Sequence, residues 1–282
     1  MRARAVLITG ASTGIGEATA LHLADLGWQV FAGVRRADDG VRLKAATTGL
    51  LEPVELDVTD EAGVERAVKE IGERLDGTLT AVVNNAGIGV GGPIEYIALD
   101  DWRRQFEVNV IGQIAVTKAC LPLIRAASNG RIVFIGSIGG RVSTPLMGPY
   151  SASKFALEAI TESLRHELRP AGIKVALVEP GAIKTPMWAK ANDTADDIEA
   201  QLPPEGRRRY GKAIAGIRTG FATQDRNAIP AQRVAEVIEK ALSSSRPRAR
   251  YLVGRDAHVA ATIARFLPDS ARDRLVRAAS RA

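Results

Sequence analysis

The chain has 282 residues, 46% hydrophobic and 25% charged, which is enough to bury a sizeable core in one large α/β domain or two small ones. Its single cysteine, Cys120, excludes an intramolecular disulfide and makes a reducing compartment, the cytoplasm, the expected setting. The net charge of +6 does not by itself point to nucleic acid, because the excess sits in Arg207, Arg208, Arg209 and the tail from Arg246 to Arg281, where a solvated surface explains it as well.

Met1 to Arg4 lead straight into the apolar run Ala5 to Ile8, leaving no room for a signal peptide. That run is too short for a helix and reads as a buried strand. Beyond Gly10, Gly14 and Gly16 the positions Ala18, Ala20, Leu21, Leu23, Ala24 and Leu26 recur at helical spacing, and the pattern stops at Gly27. Strand, glycine turn and helix form the setting in which a dinucleotide pyrophosphate rests on a helix N-terminus. A glycine-rich bend with no ligand is the competing reading, since the spacing is not G-x-G-x-x-G.

Further apolar runs follow at Val30 to Ala32, Val54 to Leu56, Leu79 to Val83, Ile132 to Ile135, Val175 to Val178 and Tyr251 to Val253, with helical patterns between them. Consecutive apolar positions suit strands buried on both faces. The pattern predicts one Rossmann-like, doubly wound α/β domain over residues 1–282 with a seven-stranded parallel sheet. Cys120 falls in the apolar stretch Ile114 to Ile124 and reads as a buried, inert thiol. No apolar run approaches a membrane span. The segment 184–229 is too long for an ordinary loop and reads as a partly helical lid over a site or as an insertion without function. Residues 255–282 form a helical C-terminal extension.

Ser137 follows the run Ile132 to Ile135, at the C-terminal edge where open α/β sheets build their sites. Tyr150 and Lys154 are four apart at the start of a helical pattern, which puts both on one face. A nearby ammonium favours the phenolate and lowers the tyrosine pKa toward neutrality. Alone, such a pair reads as a solvated helix face; after Ser137 in this fold it reads as an acid/base pair with a group to hold a carbonyl oxygen. His22, His166 and His258 have no metal-ligand spacing, so no metal is expected.

With these motifs the chain resembles the short-chain dehydrogenase/reductase family over roughly residues 4 to 254. Thr9 to Gly16 matches its T-G-x-x-x-G-I-G turn, Asn84-Asn85-Ala86-Gly87 its N-N-A-G segment, and Pro180-Gly181 its turn after the sixth strand. The resemblance implies a catalytic tetrad of Asn109, Ser137, Tyr150 and Lys154. Tyr150 is the implied general acid/base and Ser137 orients the substrate oxygen. Lys154 binds the nicotinamide ribose and depresses the tyrosine pKa, while Asn109 holds a water in the proton relay. The implied dinucleotide contacts are Gly10, Ser12, Thr13, Gly14, Ile15, Gly16, Asn85, Ala86, Gly87, Tyr150, Lys154, Pro180, Gly181, Ile183 and Thr185, with Asp57 and Val58 flanking the adenine. Helices near Asp101 to Ile124 and Ser151 to Arg169 are the family's dimer-forming surfaces, so a homodimer or homotetramer is expected.

At the end of the second strand, where NAD enzymes place an acid for the ribose 2′-OH, stands Val34. Arg35, with Arg36, is suited to a 2′-phosphate, so NADP(H) is expected in preference to NAD(H). Thr13 departs from the basic residue that many NADP-preferring relatives carry before the second glycine. The lid residues Met187, Trp188, Ile198, Leu202, Ile214, Ile217 and Phe221, with Val142, Leu146 and Met147, suit an apolar alcohol or ketone. They serve equally to pack on one another. Within the family the chain looks most like the hydroxysteroid and retinol dehydrogenase branch. The arginine-rich tail from Asp256 to Arg281 packs on its own domain or on a partner subunit, or lies on an anionic membrane. The alternative function is a redox-inactive protein on the same fold, sensing dinucleotide or presenting a basic surface. Aromatic residues are too sparse for a base-stacking patch, so no nucleic-acid partner is expected.

Overall fold

Each of the seven apolar runs becomes a strand of one sheet. The computed structural model describes residues 4–186, 199–200 and 202–279. In chain order its strands are β1 (Ala5–Ile8), β2 (Gln29–Val34), β3 (Leu51–Glu55), β4 (Ala81–Asn84), β5 (Arg131–Ile135), β6 (Lys174–Pro180), β7 (Ile183–Lys184), β8 (Ile229–Pro230) and β9 (Arg250–Val253). Seven form a parallel sheet in the order β3-β2-β1-β4-β5-β6-β9, and β7 and β8 pair separately. The order reverses between β1 and β4, and the C-terminal strand ends there open the crevice in which such sheets bind ligands. β3 starts three residues before the predicted run because an edge strand accommodates Pro53, which has no N–H to give to a ladder.

The helices are α1 (Gly14–Asp25), α2 (Ala37–Ala45), α3 (Glu61–Arg74), α4 (Leu99–Phe106), α5 (Gly112–Ala126), α6 (Gly148–Glu167), α7 (Pro204–Asn227), α8 (Ala231–Ser243), α9 (Arg255–Phe266) and α10 (Asp269–Ala279). Two core clusters result. One packs α1 and α8 on the sheet through Leu23, Trp28, Val234 and Ile238; the other packs α3, α5 and α6 through Ile71, Val116, Cys120 and Leu157. Burying one such aliphatic side chain contributes roughly 1.5–3 kcal/mol. Cys120 is fully buried, and that burial pushes its thiol up to about 12, leaving it inert at neutral pH.

A π-helical turn over Glu107–Ile111 joins α4 to α5, so helix runs unbroken from Leu99 to Ala126. Contrary to the sequence expectation, this stretch is long and apolar enough to cross a membrane by length and composition. Its apolar side is spent on the core, where Val116, Cys120 and Ile124 are fully buried. The region expected as a lid contains α7, whose Ile214 is buried together with the preceding Leu202. Met187, Trp188 and Ile198 lie outside the described residues. In the C-terminal extension Ala257 and Ala261 pack on the fold, while Val259, Phe266 and Leu275 stay exposed.

Candidate active site

The chain leaves β1 and reverses through a turn that side chains would obstruct. Gly10 and Gly14 have φ of 62° and 61°, which an L side chain rarely adopts. A Cβ on Gly10 would lie 2.9 Å from Ala86 Cα, and one on Gly16 would run into the Gly10 carbonyl oxygen and approach Asn85 Nδ2 to 2.5 Å. Gly16→Ala is therefore expected to destabilise the fold by about 1–3 kcal/mol, the usual cost of overpacking. Urea denaturation measures this; a wild-type midpoint would show that the turn yields. Thr13 caps α1 without a side-chain hydrogen bond, which leaves the first-turn N–H groups directed at the crevice. Ser12 and Ile15 are half-buried and Thr13 is exposed.

The segment after β4 holds this turn. Asn85 Nδ2 donates to the Thr9 and Gly10 carbonyls at 2.9 and 3.0 Å, and the Asn85 and Ala86 N–H groups both donate to Thr9 Oγ1 at 3.0 Å. Asn109 stands in the π-helical turn, fully buried, with Oδ1 accepting from Ile88 N at 2.8 Å and Nδ2 donating to Ile88 O at 3.0 Å and Ser153 Oγ at 3.2 Å. Its side chain thus braces the loop after Gly87. Sequence reasoning missed two partners in this brace. Gln105 accepts from Val90 N at 2.7 Å and donates to Ile88 O and Ser153 Oγ, and Ser153 donates to the Tyr150 carbonyl at 2.7 Å. The four-residue spacing of Gln105 and Asn109 was the available signal.

Ser137 caps the 3-10 turn Ile138–Gly140, with its Oγ accepting from Gly139 N at 3.0 Å. The Tyr150 hydroxyl lies beside Ser137, which favours its ionised form, and the ring passes between Gly139 and Gly89, where a Cβ would lie 3.2 and 3.9 Å from it. Lys154 Nζ lies 5.8 Å from the Tyr150 ring centroid and donates to the Ile135 carbonyl at 2.9 Å. The electrostatics of the chain alone differ from the sequence expectation. Burial raises the Tyr150 phenol above its ordinary value, with Ser137 acting in the opposite direction, and burial lowers Lys154 to about 8. Spacing shows that the groups are close, but not that both lose water, and desolvation favours the neutral form of each.

The remaining predicted contacts lie at or just beyond the C-terminal ends of β6, β2 and β3. Gly181 N donates to the Val253 carbonyl at 2.9 Å, and Ala182 N to Asp256 Oδ2 at 2.6 Å. A Cβ on Gly181 would enter the Asp256 carboxylate, so the Pro180–Gly181 turn is clamped from α9. Ile183 is buried in the β7–β8 pair, and Thr185 reaches the glycine turn, 3.0 Å from where a Gly14 Cβ would stand. Arg35 and Arg36 are exposed beyond buried Val34, and Arg36 lies 3.8 Å from Asp38. Partial burial opposes ionisation of Asp57, but hydrogen bonds from the Thr59 backbone and hydroxyl, with the charge of Arg35, hold the carboxyl below the usual range. The Val58 side chain is buried in the core cluster that it shares with residues of α3 and α5. Arg42 on α2, which the sequence pattern did not single out, binds the Ser12 carbonyl and pairs with Glu17 at the edge of the glycine turn. That contact joins three elements and leaves no trace in local spacing.

A parallel doubly wound sheet, an uncapped helix N-terminus behind a glycine turn and a Ser–Tyr–Lys cluster at the same sheet edge define a nicotinamide-dinucleotide-dependent oxidoreductase. The profile of the family described as short chain dehydrogenase matches residues 4–196, and the chain belongs to that family. It is 32% identical over 277 residues to the NADPH-dependent 3-dehydrocapnine reductase of Ornithobacterium rhinotracheale, covering 96% of this chain and 95% of that protein. It is 36% identical over 270 residues to retinol dehydrogenase 5 of Mus musculus, covering 93% and 84%. A short chain dehydrogenase from Burkholderia cenocepacia in complex with NADP superposes with a TM-score of 0.74 at 26% identity, over 97% of this chain and 98% of that one. The chain is thus an NAD(P)-dependent oxidoreductase acting on CH–OH donors, with retinol dehydrogenase-like relatives.

Proposed function

We propose that this protein interconverts an apolar alcohol and its ketone or aldehyde with NADP(H), using Tyr150 as the general acid/base. The observation that carries the reading is the cluster of Ser137, Tyr150 and Lys154 at one sheet edge, with Ser137 beside the Tyr150 hydroxyl and Lys154 Nζ 5.8 Å from its ring centroid. In the direction of reduction Tyr150 donates its phenolic proton to the substrate oxygen, and Ser137 donates a hydrogen bond to the same oxygen as charge builds there. Bound at the glycine turn, the dinucleotide supplies the hydride. Lys154 holds the nicotinamide ribose hydroxyls and stabilises the phenolate that remains. Asn109 keeps the Ile88 loop and Ser153 in register behind the tyrosine, and the water relay attributed to it belongs to the same reading.

The preference for NADP(H) rests on three features. An apolar, buried Val34 stands where an NAD enzyme needs a carboxylate, Arg35 and Arg36 are free of burial beside it, and Arg42 adds a third cation at the Ser12 carbonyl. Among similar proteins, some are described as NADPH-dependent or complexed with NADP and others as complexed with NAD or NADH. An apolar substrate is supported by half-buried Val142, Leu146 and Met147 ahead of Tyr150. It is also supported by the docking of α7 on Tyr96, whose ring meets Tyr210 edge-on at 6.1 Å.

Titration with NADPH and NADH, followed by nicotinamide fluorescence and then a panel of apolar ketones, tests the reading. Tighter NADPH binding and its oxidation by a ketone are the expected results. Binding without turnover by any ketone would favour the redox-inactive alternative, and no binding of either dinucleotide would remove both.

A further inference from the structure

Glu179 is fully buried on β6, immediately before Pro180–Gly181, and an ionised carboxylate survives such burial only when paired. Arg141, which follows the 3-10 turn capped by Ser137, grips it with two bonds, Nε to Oε1 and Nη2 to Oε2, the latter at 2.7 Å. Arg141 Nε also lies 4.0 Å from Glu158 Oε1. Glu158 is one turn beyond Lys154 on α6, and its Oε2 accepts from Arg250 Nε at 2.8 Å. Arg250 continues to Glu162 at 3.1 Å. Glu158 Oε1 is buried and no donor reaches it while Glu179 is ionised. A proton on Glu179 supplies that donor.

We propose that Arg141, Glu158 and Glu179 are positioning residues of the reaction: they brace the Ser137 turn, the Tyr150–Lys154 helix and the Pro180–Gly181 turn against one another, and the two glutamates share one proton. Each of the three is anchored within four residues of a site group, and their ion pairs add to the direct packing of the Ser137 turn on α6 and β6. An error of about 1 Å between such groups costs on the order of 10²-fold in rate. A buried carboxyl beside a second carboxylate resists ionisation. Burial raises Glu179, the Arg141 bond opposes that, and Glu158 adds to it, for a value of about 7. The other charges around the pair are Arg250 and Glu162, with the Asp256 carboxylate of α9 on the far side of the Gly181 turn.

The positioning role rests on the oxidoreductase reading; the shared proton does not. Two measurements separate them. In the unfolded chain Glu179 ionises near the ordinary glutamate value, roughly 4.3. The native state keeps that proton to about pH 7, so this group's contribution to stability is present at low pH and lost as pH rises through that window. Glu179→Gln carries no such proton, so its urea midpoint relative to wild type is expected to rise between pH 5 and pH 8. A pH-independent difference would overturn the shared proton. With NADPH saturating and 1-phenyl-1,2-propanedione as an activated apolar ketone, Arg141→Met is expected to lower kcat per NADPH-occupied site at least tenfold, with the NADPH Kd within threefold. Glu179→Gln, which still offers an acceptor to Arg141 and a donor to Glu158, keeps kcat at pH 7 within threefold. Unchanged kcat in Arg141→Met would overturn the brace. A wild type that reduces no ketone would fail the oxidoreductase reading instead; hydrogen exchange then decides the brace, with faster exchange at residues 137–142 and 180–183 in Arg141→Met expected and unchanged exchange overturning it.

Discussion

Tyr150→Phe is expected to lower kcat by about 10²- to 10⁴-fold, the range general acid/base catalysis contributes, while the NADPH Kd stays within a few-fold. Phenylalanine keeps the ring between Gly89 and Gly139 and removes only the hydroxyl beside Ser137. Single-turnover oxidation of bound NADPH separates chemistry from binding; a variant that retained turnover would remove Tyr150 from the acid/base role. Both proteins share a pH dependence of binding. Lys154, lowered to about 8 by burial, is an ammonium below that value and neutral above it. Dinucleotide affinity is therefore expected to fall between pH 7 and pH 9 in wild type and Tyr150→Phe alike, as the charge offered to the ribose hydroxyls disappears. A flat profile would show that Lys154 does not contribute as a cation.

Arg35→Asp is expected to reverse the dinucleotide preference. A charge-assisted bond to a phosphate contributes about 1.5–3 kcal/mol, or roughly 10- to 10²-fold in affinity for NADPH over NADH, before the added repulsion of a carboxylate. The same carboxylate offers an acceptor to the ribose 2′-OH, so NADH binding is expected to hold or improve. Because Arg35 is exposed, the NADPH preference of the wild type should weaken with added salt. The ratio of the two dissociation constants is the measurement, and an unchanged ratio would show that Arg35 does not read the phosphate. Arg42→Ala should change the ratio less, since its guanidinium is already engaged by Glu17 and the Ser12 carbonyl.

The seven strands were legible because parallel strands buried on both faces read as consecutive apolar residues, and the crossover helices because their apolar positions recur at helical spacing. The glycine turn was legible for a steric reason: Gly10, Gly14 and Gly16 stand where the backbone turns left-handed or where another strand's residues come too close for a Cβ. The two-residue strands β7 and β8 were not legible, because Ile183 and Ile229 pair across a long separation and neither run carries a periodicity. Nor was the π-helical turn that seats Asn109, since such a turn has no residue composition of its own to mark it.

Sequence alone determined the sheet and its crossovers, the glycine cradle, the Ser137, Tyr150 and Lys154 cluster, and the choice of Arg35 over an acid at the end of the second strand. All of these follow from the order of residue types over short stretches, through backbone sterics and hydrophobic periodicity. Tertiary structure decided that Arg42 reaches Ser12, that Gln105 and Ser153 complete the brace around Asn109, and that Glu179 is buried against Arg141 and Glu158. It also decided that Tyr150 and Lys154 are displaced toward their neutral forms. Contacts and desolvation at a point in space are sums over segments far apart in the chain, and no local spacing contains them.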